Sequence, residues 1–259
     1  MKVKANGISF NCRIDGREGA PWLVFSNSLM TDLSMWDDQV AALRGDFRIL
    51  RYDHRGHGGS DAPAGRYDFA TLVSDVVGLY DELSIPRAHF VGLSMGGMTA
   101  LGLAQQHPSR VDRLVVCDCT GASTPAGAQQ WEERIAIARK DGMEALVEPT
   151  IGRWFPPDFV AANPPALDKV RAMIRSTPVD GFAGCAAALS NFDFRPGLAG
   201  ITAPTLFVCG SKDVALGGLK QLHAAVGGSQ LAELDGAGHI SNMEQPQAFT
   251  RAVQSFLRG

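Results

Sequence analysis

No stretch of this 259-residue chain holds enough consecutive apolar residues to cross a bilayer, so no membrane-spanning helix and no membrane partner are expected. No apolar core follows the lysines of Met1-Lys2-Val3-Lys4-Ala5-Asn6-Gly7, so a secretory signal peptide is not expected. No basic block occurs: 24 Lys and Arg stand against 27 Asp and Glu, a net charge of −3, which argues against a nucleic-acid partner. Cysteine is scarce and odd in number, at Cys12, Cys117, Cys119, Cys185 and Cys209. Most lie in apolar stretches, and the set reads as buried reduced thiols of a cytoplasmic protein. Cys117-Asp118-Cys119 lacks the spacing and the nearby histidines of a zinc site, so neither metal nor cofactor is expected. There is no internal repeat and no low-complexity tract.

What is present is apolar substance in a strand-and-helix rhythm. At 45% hydrophobic residues the chain can bury a full core. Val3 to Ile14 reads as an opening strand or hairpin, and Pro21–Phe25 and Phe47–Tyr52 as buried strands. Leu72, Val76, Val77 and Leu83 recur at helical spacing between Phe69 and Leu83. Strands follow at His89–Val91, Leu114–Cys117, Thr205–Cys209 and Gln230–Leu234. Ala248, Val253, Phe256 and Leu257 line a closing amphipathic helix. The alternation implies an α/β fold with a mostly parallel central sheet flanked by helices. Between residues 121 and 196 the rhythm breaks. Helical segments at Ala128–Asp141, Met143–Trp154, Pro165–Ser176 and Gly181–Asn191 run without a strand, punctuated by Pro156-Pro157 and Pro164-Pro165. The expected organisation is a core over 1–120 and 197–259 with a helical cap over 121–196, placed to exclude water and shape a pocket.

The most informative motif is Gly92-Leu93-Ser94-Met95-Gly96, where an apolar strand runs into a small-residue helix. A serine on a tight strand-to-helix turn needs small neighbours, and the two glycines supply that room. Such a turn lifts the Ser94 hydroxyl clear of the sheet. It also leaves the N–H of Met95 at a helix start, unpaired and able to face an oxyanion. A serine hydroxyl needs a base. Of six histidines, His239 lies just after the last strand, in the glycine-bearing loop Asp235-Gly236-Ala237-Gly238, which suits an edge-presented imidazole. The third member is a carboxylate at a strand end between them in chain order. Asp213, in the loop Gly210-Ser211-Lys212-Asp213, is preferred to Asp118, which ends the strand Leu114–Cys117. Ser94, Asp213 and His239 then fall in the order of a nucleophile, acid and base triad.

On these segments the chain resembles the α/β-hydrolase superfamily over nearly its whole length. Within it the chain is similar to the 3-oxoadipate enol-lactonase group, through Phe25–Leu29, Thr31-Asp32, Met35–Asp37, Arg51–Asp53, Arg55–Gly58, Gly92–Gly97 and His239–Pro246. Asp213-Val214-Ala215-Leu216-Gly217-Gly218 departs from the proline-bearing loop that group shows after its triad acid. The resemblance implies a serine hydrolase acting on a small-molecule ester or lactone, with 3-oxoadipate enol-lactone as substrate. The N–H of Leu29, after the strand Leu23–Phe25, is the candidate second oxyanion donor beside Met95. The resemblance assigns Asp53, Arg55 and Ser60 to a structural turn.

An acidic lactone needs a cation near the cleft mouth. The cap supplies Arg134 beside Trp131, and Arg153 beside Trp154. Arg134 and Trp131 are preferred as substrate-binding residues, since they begin the first cap helix near the strand that feeds it. Alternatives on the same fold are a broad-specificity carboxylesterase, a perhydrolase, or a non-catalytic receptor for a small ligand. Assembly into a homo-oligomer is left open.

Overall fold

The computed structural model describes residues 1–259. Its sheet has eight strands: β1 (Lys2–Ala5), β2 (Ile8–Gly16), β3 (Trp22–Ser26), β4 (Arg48–Tyr52), β5 (Ala88–Leu93), β6 (Val111–Cys117), β7 (Thr205–Gly210) and β8 (Gln230–Leu234). Their spatial order is β1-β2-β4-β3-β5-β6-β7-β8. The first hairpin and the β2/β4 pair are antiparallel, and every other pair is parallel.

The sequence explains this division. In β1, Val3 and Ala5 are buried while Lys2 and Lys4 face solvent, the alternation of a one-sided edge strand. Asn6 and Gly7, both at positive φ, make the two-residue turn into β2. The central strands carry unbroken apolar runs buried on both faces: Leu23–Phe25, Phe90 and Val91, Leu114–Cys117, Leu206–Cys209. Parallel strands require crossovers, and helices supply them on both sides of the sheet.

The core helices are α1 (Asp37–Leu43), α2 (Phe69–Glu82) and α3 (Met95–Gln106), and, after the insertion, α9 (Leu216–Ala225), α10 (Ser241–Glu244) and α11 (Pro246–Arg258). Asp68 caps α2 by accepting the Thr71 N–H, and α2 buries Leu72, Val73, Val76 and Leu79. The closing helix buries Phe249, Val253, Phe256 and Leu257. No helix is long and apolar enough to cross a membrane. All five cysteines are free and buried.

Between β6 and β7 the chain leaves the sheet for α4 (Pro125–Asp141), α5 (Val147–Trp154), α6 (Pro157–Ala162), α7 (Pro165–Ser176) and α8 (Val179–Ser190). An isolated bridge between Ala122 and Asp193 closes the neck of this insertion. Helix α4 begins three residues before the expected Ala128, because Thr124 accepts the Gly127 N–H and Pro125 tolerates the first helical position. The expected helix Met143–Trp154 divides into a 3₁₀ turn, Met143–Leu146, followed by α5. Helix α6 has no apolar period of its own and was not expected; Pro157 at its first turn starts it.

Two glycines test the packing. A Cβ on Gly96 would fall 2.1 Å from the Ser26 carbonyl oxygen, whereas Gly152, in α5, has nothing within 4 Å. Gly96→Ala is expected to lower the melting temperature markedly or to prevent folding. Gly152→Ala is expected to raise stability by about 0.8 kcal/mol, the helix-propensity difference. Differential scanning calorimetry of both variants checks the contrast.

Candidate active site

Ser94 joins β5 to α3 with φ 56° and ψ −113°, a region that non-glycine residues rarely occupy. The turn is tight because backbone packs on backbone. A Cβ on Gly92 would fall 2.1 Å from the Gly96 carbonyl. The strained conformation is held by two hydrogen bonds: the Ser94 N–H donates to the Cys117 carbonyl (2.8 Å), and the Gly96 N–H to the Asn27 carbonyl (3.0 Å).

His239 follows β8. Its own N–H donates to the carbonyl of Trp154 at the end of α5 (2.7 Å), which anchors its loop to the insertion. The ring reaches both expected partners: Nε2 lies 3.0 Å from Ser94 Oγ, and Nδ1 lies 2.9 Å from Asp213 Oδ2. Asp213 is oriented by the Ala215 N–H, which donates to its other oxygen at 3.1 Å. The two loops touch through glycines, since a Cβ on Gly210 would meet the Gly238 carbonyl at 2.2 Å. Burial opposes charge on the ring, but the Asp213 carboxylate and its hydrogen bond outweigh it, so the His239 pKa is raised. Burial likewise opposes the Asp213 charge. The facing imidazole prevails, and that pKa is lowered.

Asp118, the rival acid, is fully buried and makes no hydrogen bond to His239. Its Oδ1 accepts the Gly210 N–H at 2.9 Å, and its Oδ2 shares a 2.5 Å bond with Ser241 Oγ. It thereby joins the end of β7 to the start of α10, two residues beyond His239. Burial, then the nearby Asp213 charge, push its carboxyl up to about 8. Asp118, Cys209 and Asp213 are close enough to share a cation. Their carboxylate oxygens, however, are engaged by Gly210, Ser241, Ala215 and His239, and burial keeps the Cys209 thiol protonated, so the donor set does not suit one.

The backbone N–H of Leu29 donates to no other group of the protein, and Met95 opens α3, where no preceding turn supplies an acceptor. Both residues flank the Ser94 turn. The loop carrying Leu29 is held by the Asn27 side chain, which donates to the Tyr52 carbonyl and accepts from the Trp36 indole, both at 2.9 Å. Sequence reasoning had no role for the Asn27 amide.

A cavity of about 580 Å³ opens from Ser94 and His239 and is lined by Leu29 from the core and by Trp131, Arg134 and Trp154 from the insertion. Arg134 lies against the Trp131 face, its guanidinium carbon 4.8 Å from the ring centre, and donates to Thr150 Oγ1 at 2.8 Å. It has no carboxylate partner. Burial, then the nearby Arg153, lower its pKa to about 10, which leaves it charged at neutral pH. Arg153 also lines the cavity, near its exposed rim. Asp53, Arg55 and Ser60 lie away from this cavity. Asp53 accepts from the N–H groups of Leu33 and Gly59, Arg55 pairs with buried Asp75, and Ser60 donates to the Asp53 carbonyl.

Residues 21–246 match the α/β-hydrolase fold family. The chain is 36% identical to 3-oxoadipate enol-lactonase 2 of Acinetobacter baylyi, over 99% of this chain and 96% of that one. It is 32% identical to a putative carbamate hydrolase, RutD, of Pseudomonas syringae, over 92% and 94%. Among solved structures, the enol-lactonase of Burkholderia xenovorans superposes with a TM-score of 0.96, at 42% identity and full coverage of both chains.

The two acids make different predictions. Asp213→Asn is expected to cut ester turnover about 10⁴-fold, because the amide would hold the wrong imidazole tautomer. Asp118→Asn keeps the shape and a hydrogen-bonding oxygen and is expected to cost less than about tenfold. Steady-state kinetics on p-nitrophenyl acetate decide it. The opposite ranking would make Asp118 the working acid.

Proposed function

The chain belongs to the α/β-hydrolase family, and from that premise we propose that it hydrolyses 3-oxoadipate enol-lactone through an acyl-enzyme on Ser94. The observation that carries the substrate is Arg134, a charged arginine without an acidic partner, lying on Trp131 in the same cavity as the Ser94 hydroxyl. A guanidinium fork suits the free carboxylate of the lactone, and the flat ring can lie against an indole. Full-length similarity to proteins named enol-lactonases supports the same reading.

In this mechanism His239 Nε2 takes the proton of Ser94 Oγ as that oxygen attacks the lactone carbonyl. The negative charge that develops on the carbonyl oxygen falls between the N–H groups of Leu29 and Met95, each worth about 3 kcal/mol. Collapse breaks the ring C–O bond. The proton on His239 passes to the departing enol oxygen, and the enol becomes the ketone. Water, deprotonated by the same imidazole, then attacks the acyl-enzyme and frees the second carboxylate. Asp213 keeps Nδ1 protonated throughout and stabilises the imidazolium. The helical insertion acts as a cap, shielding the developing charge from water. Since the base must be neutral and its pKa is raised, activity is expected to fall as pH drops through a value above 6.5.

A cavity of 580 Å³ exceeds what one small lactone fills, which favours, as a second reading, a carboxylesterase of broader range. Comparing the acidic lactone with a neutral ester separates the two. Arg134→Ala is expected to raise KM for the enol-lactone about tenfold or more and to leave p-nitrophenyl acetate nearly unchanged. Equal losses on both would mean that Arg134 supports the cap. Absence of turnover on every ester and lactone, in a folded protein, would favour the non-catalytic receptor.

A further inference from the structure

Beneath the Leu29 loop lies a buried group that the mechanism above does not use. His57 is fully buried in the turn after β4. Its Nε2 accepts the N–H of Met30, the residue after Leu29, at 2.9 Å. Its Nδ1 lies 3.1 Å from the Arg55 carbonyl, to which only a protonated nitrogen can donate. The two backbone partners therefore select one neutral tautomer: hydrogen on Nδ1 and a lone pair on Nε2. Burial depresses this pKa to about 4, so the lone pair persists at working pH.

Met30 needs that acceptor. It sits at φ 59°, where a side chain is unfavourable and where the surroundings must impose the conformation. Without a partner for its N–H, Met30 would relax toward negative φ and rotate the peptide that follows Leu29. The same turn also touches the insertion. Gly56 and Gly181 of α8 pack backbone to backbone, and a Cβ on Gly181 would fall 2.0 Å from the Gly56 carbonyl oxygen. Cys185 Sγ, also on α8, lies 3.6 Å from the same Arg55 carbonyl that His57 uses. A continuous path therefore runs from α8, through Arg55 and Gly56, to His57, Met30 and Leu29.

We propose that His57 is a positioning residue for the hydrolysis: its Nε2 holds the Leu29–Met30 segment in the geometry that receives the oxyanion, and its turn makes that geometry depend on the seating of α8. This rests on the reading of the Leu29 N–H as an oxyanion donor. His57 touches no substrate and acts only through the backbone.

The test has three parts. In uniformly ¹⁵N-labelled wild-type protein, a scalar coupling is expected between the Met30 amide nitrogen and His57 Nε2, transmitted through the N–H···N hydrogen bond. Its absence at pH 7 overturns the proposal whatever the variants do. His57→Leu is expected to lower kcat on p-nitrophenyl acetate about 100-fold with KM within about twofold, since displacement of an oxyanion donor affects the transition state alone. Its affinity for phenylboronic acid, whose tetrahedral adduct on Ser94 places an oxygen in the same site, should weaken in parallel. His57→Gln, which offers an acceptor again, should recover much of the loss. A folded His57→Leu protein with wild-type kcat, or one whose loss lies in KM, contradicts the proposal. Gly181→Ala drives a Cβ against the Gly56 carbonyl, pushes α8 off the core turn and should lower kcat in the same sense; an unchanged kcat removes the link to the insertion. Wild-type protein without esterase activity would defeat the hydrolase reading while leaving the coupling measurement intact.

Discussion

The structure depends on one close approach. The turn after β5 rests on the end of β3 with no side chain between them: Gly96 lies against the Ser26 carbonyl, and its N–H donates to the Asn27 carbonyl. This contact holds Ser94 in a backbone region that its Cβ disfavours, and it brings the Leu29 loop beside the start of α3. The Ser94 hydroxyl and the free N–H groups of the Leu29 loop and the α3 start are therefore placed by a single backbone contact between neighbouring strands. Parallel pairing of β3 with β5 makes the approach available, because both strands end at the same edge of the sheet.

Around that contact, each remaining component enters from a different element and is pinned by backbone. His239 hangs from the Trp154 carbonyl, Asp213 is held by the Ala215 N–H, and Asp118 ties the two loops together from beneath. Two carboxyl groups so close cannot comfortably both be charged. The protein separates their roles by environment: Asp213 faces an imidazole and ionises easily, while Asp118 faces a hydroxyl and an amide and holds its proton to about pH 8. The insertion contributes to the same economy. It covers the cavity, anchors the histidine loop through α5, and packs through α8 on the turn that carries His57.

Much of this was legible in the sequence, for physical reasons. Buried parallel strands need unbroken apolar runs, so β3, β5, β6 and β7 stand out. The Ser94 turn needs glycine at Gly92 and Gly96. Other parts were not legible. The loop position of Asp213, three residues past its strand, favoured it over Asp118 at the strand end, but which carboxylate meets the imidazole appears only in three dimensions. Helix α6 is too short to show a period. His57 sits in a turn whose residues read alike as structural, although His54-Arg55-Gly56-His57 next to Asp53 was itself a signal. The use of a ring nitrogen as a backbone acceptor depends on Met30, twenty-seven residues earlier in the chain. Arg134 was visible as a cap arginine, but the lack of any acid beside it appears only in three dimensions.

The account stands on a Ser94 hydroxyl activated by a neutral His239. Fluorophosphonate labelling followed across pH, with peptide mapping of the adduct, measures both at once. A single adduct on Ser94, forming at a rate that rises with pH through a value above 6.5 and that collapses in His239→Ala, is the expected result. An adduct on another serine, or a labelling rate that does not respond to pH or to the loss of His239, would contradict it.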